Sequence, residues 1–421
     1  MACHGRVVTG RAVRFLATAL IAQGVALPAP HLHAESLPAK PSLQPSFTIP
    51  VEPLGYSAPG VYYMGQRYSM ASLDFLGEDR LLFTFHSPGL LRRDNASPEP
   101  RQIRSLVLAL PSGAVLSDTL WTVHGRNRYL WVLPDGHFFL RDLNTIVEGD
   151  ASLQSNPLFQ FPGELLWIES DPSGQYLVTD SREPENTSGK TASPNDASQA
   201  ATDSSVHLPN YVVRILRRDT GRVLLVSRSM AVVHLPISAE GYLEPLQGEG
   251  SAWVLNLNYF SGGSRVVGRL DSDCAPTLDF LTTTTLFASG CDDTGRGILA
   301  AFTTSGRRLW LFRSSTQDVW PLLVTAASGS RLARETLAVD QPVTNYSPLN
   351  PDDIKGQIVR VFDAATGKPV LIAPAEPALD AGGNVAISPS GRRVAILTHG
   401  SIQIFDISAT PPLPAAGPSQ P

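Results

Sequence analysis

Fixed charge is sparse in this chain. Asp, Glu, Lys and Arg together make up 17 % of its 421 residues, and no basic run occurs. The formal net charge of −5 and the lack of a basic patch exclude binding by phosphate neutralisation, so nucleic acid is not an expected partner. Anionic membrane surfaces are excluded on the same ground. Long hydrophobic runs are missing beyond the N-terminal region, so no membrane span is expected after signal cleavage. Gly-x-Ser-x-Gly, His-Glu-x-x-His and P-loop signatures are absent too, which removes the common hydrolase, zinc-protease and NTPase classes. No catalytic, metal-binding or cofactor-binding residues are assigned, and no cofactor is expected.

What the chain does have begins with its first 34 residues. Arg6, Arg11 and Arg14 form a basic region with no acid nearby, and a mostly apolar stretch follows over residues 15–27. Thirteen residues are too few for a span of about 20 but suit a secretory signal peptide. Residues 1–34 therefore read as a leader, cleaved before Glu35, and the mature protein as secreted or periplasmic. Cleavage leaves 30 Lys+Arg against 38 Asp+Glu, a net charge of −8.

Of three cysteines, only Cys274 and Cys291 follow the leader. A lone pair in an exported chain is expected to form a disulfide. The strand-like run between them makes that bridge a tie across one hairpin.

Glycine and proline are frequent, 34 and 35 of 421, which favours many short elements joined by turns. Residues 107–116, 213–225, 299–310 and 359–370 each show a β-rich run, a polar turn ending in Ser-Gly or Thr-Gly, and a second β-rich run. A second unit recurs at 168–178 and 385–396, with looser copies at 73–83 and 131–140. The two units in order form a four-stranded antiparallel meander, one blade of a β-propeller. Seven blades are expected, at about 68–121, 122–163, 164–230, 231–271, 272–316, 317–373 and 374–408. The fourth is the least evident.

The predicted fold is thus an all-β, seven-bladed propeller over 46–408, preceded by a linker at 35–45. The seventh blade runs out of sequence after its third strand, so a segment within 46–66 is expected to supply the fourth, beside residues 401–407. Residues 181–206 are poor in apolar side chains and read as a disordered insertion between two strands of blade three. Residues 409–421 read as a Pro-rich tail.

The motifs Ser388-Pro389-Ser390-Gly391 and Val361-Phe362-Asp363-Ala364-Ala365-Thr366-Gly367-Lys368 resemble β-propeller repeats of the WD40-like, YVTN and quinoprotein-like group. With Leu81-Leu82-Phe83-Thr84-Phe85-His86 and residues 128–142, the chain also resembles exported bacterial propeller proteins of unknown function. That likeness implies architecture and compartment, not activity. Residues 300–310 resemble the tryptophan-docking motif of quinoproteins, with Phe302 where Asp is usual; a single copy implies blade packing.

Gly295-Arg296-Gly297 and Ala300 match a dinucleotide fingerprint in letters, but no helix pattern follows. Asp271, Asp273, Asp292 and Asp293 offer hard oxygens without a full calcium-loop spacing. Arg126, Arg128, Trp131 and Arg141 form the densest cationic–aromatic group and are the candidate ligand contacts, since rigid scaffolds bind through their loops. The expected function is a monomeric, non-enzymatic binding scaffold for an unknown protein or small-molecule ligand. The alternatives are a propeller enzyme acting at the central funnel, lactonase-like or a degenerate quinoprotein, and a module of a larger envelope complex.

Overall fold

In the computed structural model, residues 43–57, 71–86, 100–124, 128–183, 211–317, 319–339, 354–379, 383–398 and 400–407 are described. The leader, Arg126 and the Pro-rich tail lie outside them, as does the insertion from residue 184 onward. Ser181 and Arg182 themselves belong to the strand Tyr176–Arg182. The insertion therefore starts later than the composition suggests, because these two polar residues are paired with Val212 and Tyr211 in the ladder.

Seven antiparallel sheets follow one another along the chain. Apart from Phe47–Pro50, which joins blade seven from the N-terminal side, their strands fall in the seven expected spans, overrunning them by a few residues at most. Each sheet is a meander, and each buries both faces. Alternation along a strand explains how: Leu286 and Ala288 pack toward blade four, while Phe287 between them packs toward blade six. Seven such inter-blade cores exist, one for each neighbouring pair. The last joins blade seven to blade one through Leu73, Phe83, Ala395 and Ile404, which makes the array a closed ring. The only helical element among the described residues is a 3-10 turn at Glu52–Leu54.

The turn glycines of the repeating outer hairpins, Gly113, Gly221, Gly306 and Gly367, all have φ between 63° and 98°, where a side chain is strained. Closure also follows the expectation. The strand Phe47–Pro50 pairs antiparallel with Ser401–Asp406, placing Phe47 opposite Ile404 and Ile49 opposite Ile402, and it forms the outer strand of blade seven.

Blade four departs from the regular pattern. Its ladder contains Gly241–Gln247, Ala252–Tyr259 and Ser264–Asp271. The place of an inner strand is taken by the segment before Gly241, which touches the ladder through a single bridge, Ile237 to Tyr242, and through Leu243 N–H donating to Pro236 O at 2.9 Å. Pro236 has no N–H to give, so the segment cannot run as a full strand. That is why this blade is faint in the sequence.

Candidate functional site in the central channel

The inner edges of all seven blades converge on a cavity of about 600 Å³. Five consecutive blades place ionisable side chains on it: Asp74, Arg128, Glu169, His234 and Asp279. Around the ring the charges of these five alternate in sign. A further acid of blade three, Asp171, also lines the cavity but is taken up by its own turn, accepting from Ser173, Gln175 and Tyr176. Blades six and seven close the circle with Val324, Ala326, Ala386 and Ile387. The channel therefore has a charged arc and an apolar arc.

His234 is the centre of the charged arc. It sits on the proline-interrupted segment of blade four and reaches both neighbours. Its Nδ1 lies 3.0 Å from Glu169 Oε2 in blade three, and its Nε2 lies 2.8 Å from the Leu278 carbonyl and 3.5 Å from Asp279 Oδ1 in blade five. Glu169 Oε2 is shielded from solvent and, among the described residues, has no donor besides this imidazole. Burial alone would lower the proton affinity of His234, but the Asp279 and Glu169 carboxylates outweigh it and hold the ring protonated up to about 11. Asp279 moves the other way: burial and the negative charge of Glu169 raise it, against the pull of His234.

Asp74 accepts a 2.6 Å hydrogen bond from the Ser72 hydroxyl. Burial pushes its carboxyl up to about 6, with Ser72 and Arg128 pulling it down. Burial lowers the Arg128 guanidinium, opposed by Asp74 and Glu169.

The candidate contacts from sequence separate into two layers. Arg128 and Trp131 line the cavity, with the Arg128 guanidinium carbon 5.2 Å from the Trp131 ring centroid. Arg141 is 2 % exposed and lies behind the lining. It donates from Nε to the Arg128 carbonyl at 3.0 Å and from Nη1 to the Leu165 carbonyl at 2.9 Å, tying the inner edges of blades two and three together. Trp131 and Trp167 meet edge to face at 6.1 Å. Both indole N–H groups are buried without an acceptor among the described residues.

Sequence reasoning missed Asp74, Glu169, His234 and Asp279. One signal was available: the tetrapeptide Leu-Asp-Phe-Leu occurs at 73–76 and again at 278–281. In both copies the carboxylate interrupts an apolar inner strand and lines the channel. Glu169, Asp279 and His234 each offer a ligand atom, and these atoms all lie within 4.8 Å of one another. Of the acids near the two cysteines, Asp292 is used otherwise. Asp292 Oδ1 accepts from Thr294 N, Thr294 Oγ1 and Arg296 N, which closes a turn. Cys274 and Cys291 lie with Cα atoms 5.5 Å apart, within reach of a disulfide.

No family model and no curated protein matches the chain. Among solved structures, a chain of the mitotic checkpoint complex is 10 % identical over 94 % of this chain and 99 % of its own, with a TM-score of 0.45. The WD40 domain of Toxoplasma gondii coronin is 10 % identical over 81 % and 85 %, at 0.43. Pyrococcus horikoshii acylaminoacyl peptidase is 8 % identical over 80 % and 52 %, at 0.47. Likeness at this level carries nothing about ligands. The chain is a β-propeller repeat protein on the strength of its own seven sheets and the seven cores between them.

Proposed function

We propose that this is an exported, non-enzymatic propeller that binds a small amphiphilic ligand in its central channel. The observation that carries this reading is the division of the channel wall into a charged arc over blades one to five and an apolar arc over blades six and seven. A cavity of about 600 Å³ is the size that accommodates drug-sized molecules, and such sites pair apolar walls with a few placed polar groups. Trp131 and Trp167 line this cavity, and their buried indole N–H groups have no acceptor among the described residues. Export is supported by the basic and apolar leader pattern of residues 1–34 and by the placement of both remaining cysteines within disulfide reach of each other.

The competing reading, an enzyme at the funnel, is favoured by the convergence of His234 with two carboxylates. The ring's own partners argue against it. Nδ1 faces Glu169 Oε2 and Nε2 faces the Leu278 carbonyl, so in the metal-free channel neither nitrogen is free to take a proton from a substrate.

Native mass spectrometry of the protein purified from its own host tests the binding reading. The expected result is a bound small molecule in wild type that is lost in Ala327→Trp, which fills the exposed apolar wall. A mass equal to the polypeptide alone, or an adduct that survives the substitution, would overturn it. Sequencing of the mature N-terminus checks export, with a start near Glu35 expected.

A further inference from the structure

The geometry points to a divalent transition-metal site, of the zinc class, held by Glu169, His234 and Asp279 where blades three, four and five meet at the channel. It deepens the channel-binding reading and rests on it. The donor set is one imidazole and two carboxylates, with ligand atoms mutually within 4.8 Å. A tetrahedral ion at about 2.0–2.2 Å from each donor holds them about 3.5 Å apart, so these side chains close around it by about an ångström. Two carboxylates and a neutral imidazole carry a charge of about −2, which an M²⁺ ion neutralises. The nitrogen donor selects against calcium and magnesium, which take oxygen ligands.

The surroundings orient this donor set. A metal-ligating histidine ordinarily donates its second ring N–H to a carbonyl or carboxylate. His234 Nε2 lies 2.8 Å from the Leu278 carbonyl, which leaves Nδ1 to face Glu169 Oε2 at 3.0 Å. That oxygen is shielded from solvent and has no other donor among the described residues, so it is available to ligate. Asp279 follows Leu278 directly on the inner strand Thr277–Thr282, so one stretch of backbone fixes both the ring and the third ligand. Binding breaks the Nδ1–H bond, forms an Nδ1–metal bond and releases the proton to water.

His234 and Asp279 are about a third exposed, at 35 % and 30 % of their side chains, and Glu169 is 14 % exposed. The open side faces the cavity, so three protein ligands leave a fourth position for water or for a ligand atom, as in non-structural zinc sites. A metal there would present a Lewis-acidic anchor at the charged end of the channel, opposite the apolar arc. The implied ligand carries an anionic or carbonyl oxygen on its polar end.

The test uses the mature protein stripped with chelator and titrated with Zn²⁺ alone by calorimetry. One equivalent is expected to bind with Kd below about 1 µM. The isosteric variants Glu169→Gln and Asp279→Asn are each expected to weaken it by about 10-fold or more. His137→Ala, which removes a half-buried histidine that is not among the cavity-lining residues, is expected to leave it unchanged. Absence of binding below about 100 µM, or binding kept in both channel variants, would overturn the assignment. Co²⁺ added to wild type makes the test independent of variant folding: an intense visible d–d spectrum is expected, and the pale spectrum of the aqueous ion would count against the site. If zinc fails while the native-host adduct persists, the metal falls and the channel-binding reading stands.

Discussion

The indole N–H of Trp310 in blade five donates to the carbonyl of Ala364 in blade six at 2.7 Å. The ring also seats the turn of blade six: a Cβ on Gly367 would lie 2.5 Å from Trp310 Cδ2, at a φ of 68°. This is the physical content of the tryptophan-docking resemblance, a bolt between neighbouring blades. Phe302, where that motif usually carries Asp, is 2 % exposed and packs between blades four and five.

Trp310→Phe should therefore destabilise the protein by about 1–3 kcal/mol, since it leaves a buried acceptor unpaired. Gly367→Ala should cost at least as much, because it adds both backbone strain and overlap with the ring. Urea unfolding monitored by circular dichroism measures both. A Trp310→Phe variant as stable as wild type would show that the indole bond is dispensable.

The fold was legible in the sequence because its signals are local. A Ser-Gly or Thr-Gly turn between two β-rich runs marks a hairpin wherever it occurs, and four copies set the blade spacing. The channel cluster was not legible, because its members stand at 74, 128, 169, 234 and 279 and meet only when the ring closes. Arg128 and Trp131 were found because they are neighbours in sequence. His234 carried no periodic signal, since Pro236 breaks the strand that presents it.

Glu335 provides a test by pH. It is fully buried, and burial pushes its carboxyl up to about 8, with the Gly383 and Asn384 amides pulling it down. Its ordinary value is 4.5. Between these values the folded state holds a proton that the unfolded state has released. Stability contributed by the protonated form is then complete below the unfolded value and is lost as pH rises toward 8. The slope approaches about 1.4 kcal/mol per pH unit at most. Glu335→Gln should flatten this dependence and be the more stable protein at pH 9. Parallel stability curves for the two proteins from pH 5 to 9 would refute the assignment.

The disulfide should matter to the site as well as to stability. Cys274 precedes the strand that carries Asp279, and Ser272 Oγ binds both ends of the bridge, donating to Cys274 O at 2.7 Å and accepting from Cys291 N at 3.0 Å. Closing a loop of this size contributes about 3 kcal/mol in the chain-entropy account. Paired Cys274→Ser and Cys291→Ser substitutions should lower Tm by several degrees. They should not unfold the protein, because the hydrogen bonds of Ser272 remain. Thiols that react with alkylating agent in unreduced secreted protein would show that the bridge is not formed in the host.

Ring closure gives the sharpest prediction. The seam lies in blade seven, where a strand from the N-terminal side completes a sheet built from the C-terminal side. Its contribution is more than four residues of ladder. Ile49 and Val51 are buried in the core between blades seven and one, and Tyr56 packs on Phe83 and Phe85 with ring centroids 5.4 Å away. Ile49 also supports the turn of blade one, since a Cβ on Gly113 would lie 3.0 Å from its Cγ2. One short segment thus fastens two blades. Ile49→Ala should cost about 2–4 kcal/mol, the range for large-to-small changes in a core. A chain beginning at Ser57 loses all of these contacts and bares the edge of Ser401–Asp406, an exposed strand edge being a template for association. It should melt well below the mature protein and aggregate in size-exclusion chromatography. A truncated chain that melts with the mature protein and elutes as a monomer would mean that the ring holds without its N-terminal strand.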